Sequence, residues 1–96
     1  MSPLNKKKLN ALRKKLDLID NDLLKIIKKR SLVVKEVLNL KLYKNEIVDK
    51  KRILIILKKI RKKSIHIKID PKITNRIWKN MIWSFIAYEN RNFKKK

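Results

Sequence analysis

A chain of 96 residues with a formal charge of +21 allows one modest domain, and its 44% hydrophobic content excludes a disordered basic tail. The absence of cysteine excludes disulfides and thiolate chemistry, and the single histidine, His66, excludes a histidine-rich metal site. With no glycine and only Pro3 and Pro71, the turns that sheets need are missing, so the composition argues for helices.

The first element is the clearest. Leu9, Leu12, Leu16, Ile19, Leu23, Ile26, Arg30, Val33, Val37 and Leu40 alternate in steps of three and four, and all but Arg30 are apolar. That is the heptad seam of a long helix packed against other helices. A helix over about 5–43 would be roughly 58 Å long. Asn45 and Glu46 form a polar break. Asp49 reads as an N-cap opening a helix over about 49–61, with Ile53, Ile56, Leu57 and Ile60 on its buried side. Residues 62–70 read as a linker. The alternation Ile65-His66-Ile67-Lys68-Ile69 resembles a strand but has no partner, so extended coil is preferred. Asp70-Pro71 starts a third helix over about 71–92, with Ile73, Ile77, Trp78, Met81, Ile82, Phe85 and Ile86 inward. No internal repeat is visible, and residues 1–96 read as a single all-α domain.

The lengths bear on assembly. Two helices of roughly 20 Å and 33 Å do not cover a seam of roughly 58 Å within one chain. An exposed stripe of that size marks an interface, and a symmetric dimer with antiparallel long helices is the simplest closure. No apolar run approaches the roughly 20 residues that span a bilayer. The N-terminus carries no secretory signal, so the cytoplasm is the expected location. The charge attracts nucleic acid, acidic membranes and anionic metabolites alike, and lysine enrichment also follows from A/T-biased coding.

Polar residues that break the apolar pattern are the site candidates. Arg30 takes an aliphatic position, and Lys41, eleven residues on, returns to nearly the same face. Two cations facing one interior suit an anionic ligand. Equally, Arg30 pairs with an acid elsewhere while Lys41 snorkels at the helix end. By pattern alone Arg13 is a solvated arginine, Asp49 a cap and Arg52 a first-turn surface charge. Glu89, the only acid of the third helix, follows Phe85 and Ile86 by one turn.

Taken together, Leu12-Arg13, Ile19-Asp20, Leu23-Leu24, Arg30, Val37, Lys41, Asp49-x-x-Arg52, Asp70-Pro71, Arg76-Ile77-Trp78 and Ala87-Tyr88-Glu89 resemble the all-helical chorismate mutases over roughly residues 9–90. The resemblance implies an intertwined homodimer with three helices per chain and active sites shared between chains. It implies conversion of chorismate to prephenate in aromatic amino-acid biosynthesis, with no cofactor and no metal. Position by position, it makes Arg13 the arginine that crosses the dimer to one substrate carboxylate, and Arg30 the bidentate grip on the other. Lys41 becomes the contact to the ether oxygen of the breaking bond, and Glu89 its second donor. Asp49 and Arg52 take positions near the ring end.

Geometry agrees with a shared site. Arg13 and Arg30 lie roughly 26 Å apart along one helix, so both reach a small dicarboxylate only if two chains combine. Two departures from the family pattern stand out. Ile53 replaces the glutamate that contacts the substrate hydroxyl, and Phe85, with Ser84 beside it, replaces a small residue one turn before the closing donor. The segment from Lys41 to Asp49 is one residue shorter than in some relatives. Two further readings stay open: a basic helical module that binds nucleic acid without sequence preference, and a weakly active mutase fold kept as a partner subunit.

Overall fold

The computed structural model describes residues 1–95. Three α-helices, with no strand among the described residues, make an all-α protein. Helix α1 runs Pro3–Leu40, α2 Lys50–His66 and α3 Pro71–Asn92, with a single 3₁₀ turn at Lys44–Glu46. None of the helices is long and apolar enough to cross a membrane. The chain divides into two compact units, Met1–Val33 and Val34 onward.

The first unit is the N-terminal part of α1 alone. Leu12, Leu16, Ile19, Leu23 and Ile26 are each between 50% and 60% exposed. A lone helix gains little from intrinsic propensity and draws its stability from packing an apolar face. The apolar face of this unit has no cover within the unit.

The second unit holds the core: Leu38, Ile47, Ile82 and Ile86, with Ile53, Ile56, Leu57, Tyr88 and Phe93 packed around them. Helix α1 ends at Leu40, three residues short of the expected 43. Its inward row here is half-buried Val34, buried Leu38 and half-buried Lys41, spaced by four and three, and not the seam continued through Val33, Val37 and Leu40. Leu38 is 7% exposed and Leu40 is 80% exposed. The seam drifts because 3.6 residues per turn do not match a strict heptad, and the face that meets the core here is set by the partners, not by the row upstream.

Helix α2 begins behind Asp49, whose side chain accepts from the Arg52 backbone N–H at 3.0 Å. It continues to His66, so residues 62–66, expected as linker, are helical. Its end is closed by Lys68, which adopts φ 63°. The Lys68 N–H donates to the Ile65 carbonyl at 3.2 Å and the Ile69 N–H to the Ser64 carbonyl at 2.9 Å. This is a Schellman closure with lysine where glycine is usual. The left-handed conformation costs a residue with a Cβ about 1 kcal/mol.

Helix α3 opens on Asp70, whose carboxylate accepts from the Lys72 N–H at 2.9 Å, with Pro71 in the first turn. It packs against α2. Ser64 and Thr74 join the two helices through buried hydroxyls 2.7 Å apart. Ser64 also donates to the Ile60 carbonyl at 2.6 Å, and Thr74 to the Pro71 carbonyl at 3.4 Å. Of the residues expected inward on α3, Ile82 and Ile86 are buried, and Trp78, Met81 and Phe85 are half-buried. Ile73 and Ile77 are exposed. The inward row of α3 starts at half-buried Pro71 and buried Thr74, where the hydroxyl contact to Ser64 meets α2.

Candidate active site

The centre of the second unit's polar chemistry joins the end of α1 to the last turn of α3. Lys41, the residue after α1, places its Nζ 2.8 Å from Glu89 Oε2, across 48 residues of sequence. The lysine side chain is 17% exposed and the glutamate side chain 8%. At that depth a cation and an anion gain far more from each other than a surface pair does, and removal of either strands the other's charge. Glu89 follows Ile82 and Ile86 along the buried row of α3, so core packing presents its carboxylate inward. Phe85, half-buried, precedes it by one turn.

Two more of the sequence-derived candidates come together in a different role. Asp49 caps α2 through the Arg52 backbone N–H, and both residues are exposed. Arg13 and Arg30 belong to the first unit, Arg13 exposed and Arg30 half-buried on the same helix. Ile53 packs against the core.

A separate groove of about 400 Å³ is lined by Lys35, Leu38, Asn39, Tyr88, Asn92 and Lys94. The Lys35 ammonium stands 5.9 Å from the centre of the Tyr88 ring. None of the candidate residues lines it.

Sequence reasoning passed over Glu46, treated as part of a polar break. Its carboxylate accepts from the backbone N–H groups of Leu42 and Tyr43 at 2.8 and 3.2 Å. The legible signal was a glutamate three residues after the start of a turn, the spacing of a capping side chain.

Compared with known protein families, the chain matches the one described as chorismate mutase type II over residues 12–90. The chain belongs to the type II chorismate mutase family. That family is one of isomerases, and the matched span includes Arg13, Arg30, Lys41, Asp49, Arg52, Phe85 and Glu89. No curated protein and no solved structure matched the chain.

Proposed function

We propose that this chain rearranges chorismate to prephenate, in the cytoplasm and in aromatic amino-acid biosynthesis, as a homodimer whose two sites each draw on both chains. The observation that carries the reading is the Lys41–Glu89 pair, which brings the two residues assigned to the ether oxygen within 2.8 Å of each other. The exposed row Leu12, Leu16, Ile19, Leu23 and Ile26 supports the dimer, since a second copy of the same helix covers it by symmetry.

The reaction breaks the carbon–oxygen bond of the enolpyruvyl ether while a carbon–carbon bond forms between the enolpyruvyl methylene and the ring. Electrons move in one cycle, and no nucleophile, proton carrier or cofactor is consumed. Catalysis then has two parts: holding the folded diaxial conformer, and stabilising the negative charge that grows on the ether oxygen. Arg30 and Arg13 of the partner subunit hold the two carboxylates. Lys41 donates to the ether oxygen. Glu89 contributes a second donor when protonated, because an ionised carboxylate only accepts. Asp49 and Arg52 serve the ring end, and Phe85 walls the site beside Glu89.

Incubation of the purified protein with chorismate, followed by loss of chorismate absorbance, tests the proposal. Turnover that disappears in Arg30→Ala and Lys41→Met is the expected result. No turnover above the uncatalysed background from an intact dimer rejects it.

A further inference from the structure

The segment after Lys41 turns without glycine or proline. The Lys41 N–H donates to the Leu38 carbonyl at 3.1 Å. The next two N–H groups, of Leu42 and Tyr43, donate to one oxygen of Glu46, at 2.8 and 3.2 Å. The loop then closes on itself through Glu46 N–H to the Tyr43 carbonyl at 3.1 Å and Ile47 N–H to the Lys44 carbonyl at 3.2 Å. Ile47, only 4% exposed, anchors it in the core beside Leu38. An ionised acceptor binds backbone N–H groups more strongly than a neutral one does. Glu46 itself is exposed, and its two contacts to backbone N–H groups act on the shape of the loop.

We infer that Glu46 is a positioning residue for Lys41: it pins the backbone one and two residues beyond Lys41 and thereby fixes where the ammonium group stands opposite Glu89. A lysine side chain is flexible and locates its charge only as well as its backbone and partner allow. Stabilisation of charge on an ether oxygen depends on a donor already in place when the bond breaks. Glu46 does not touch the substrate. The kinetic consequence rests on the mutase reading, whereas the position of Lys41 does not.

Glu46→Ala and Glu46→Gln separate the alternatives, the glutamine keeping a carbonyl acceptor at nearly the same place. With chorismate, Glu46→Ala lowers kcat on the order of tenfold with KM within about twofold, the signature of a displaced donor, not of lost binding. Glu46→Gln recovers most of the rate. In parallel, reductive methylation read peptide by peptide shows Lys41 reacting several-fold faster in Glu46→Ala and at about the wild-type rate in Glu46→Gln. Unchanged Lys41 labelling overturns the inference whether or not the protein turns over chorismate. An equal rise at the other lysines reports general loosening and also overturns it. If the wild type is inactive but Lys41 labelling responds as stated, the mutase reading falls and the positioning role stands.

Discussion

The ammonium of Lys41 and the carboxylate of Glu89 meet at 2.8 Å, one at the end of α1 and the other in the last turn of α3. The contact holds the end of α1 against the last turn of α3. It is also a pair of opposite charges largely out of water, so its energetics differ from those of the many exposed lysines.

Breaking this pair from one side is expected to be costly. Lys41→Met leaves Glu89 buried and uncompensated, and lowers unfolding free energy by about 3 kcal/mol in denaturant titrations. Glu89→Leu alone strands the ammonium with a smaller loss, because Lys41 is the more exposed partner. The double variant Lys41→Met with Glu89→Leu is more stable than the sum of the single losses implies. Additive losses would mean that the two side chains do not share an ion pair in solution.

In the mutase reading Glu89 is a donor to the ether oxygen, and an ionised carboxylate only accepts. Glu89→Gln supplies an amide N–H in its place and is expected to keep or raise kcat on chorismate, whereas Glu89→Ala, which has no donor, loses most of it. Rate measurements on both variants check this, and a loss in Glu89→Gln as large as that in Glu89→Ala removes Glu89 from the reaction.

Complementation tests whether each site is built from two chains. On the proposed shared-site reading, Arg13→Ala and Arg30→Ala dimers are each expected to be inactive on chorismate. Mixing them under exchanging conditions forms heterodimers in which one site has lost both arginines and the other has kept both. Activity then returns to about a quarter of the wild-type value, the share expected of random symmetric exchange. Continued inactivity of a mixture shown to exchange places both arginines on the same chain's site.

The lysine that closes α2 offers a stability test independent of function. Lys68 holds a left-handed backbone at φ 63°, a conformation glycine adopts without a Cβ penalty. Lys68→Gly is therefore expected to raise stability by about 0.5 kcal/mol, the relieved strain outweighing the extra freedom of the unfolded chain. A lowered thermal midpoint in Lys68→Gly would contradict the helix end described here.

What the sequence determined by itself was local. The three helices follow from apolar spacing and from the lack of glycine. The α3 start is visible because Asp70 and Pro71 act on their own neighbours, through a carboxylate at the cap and a fixed φ in the first turn. The end of α2 was not visible, because a lysine in the left-handed region leaves no compositional mark and a continued helix satisfies the same backbone groups as the turn would. The inward faces were legible only in part. Spacing reveals that a helix has an apolar stripe, but the rotation of Leu38 inward and of Ile73 and Ile77 outward depends on what the helix meets. The encounter of Lys41 with Glu89 was left entirely to tertiary structure. No local rule brings together residues 48 positions apart; the packing of Leu38 against Ile82 and Ile86 does, and it carries the two charges with it.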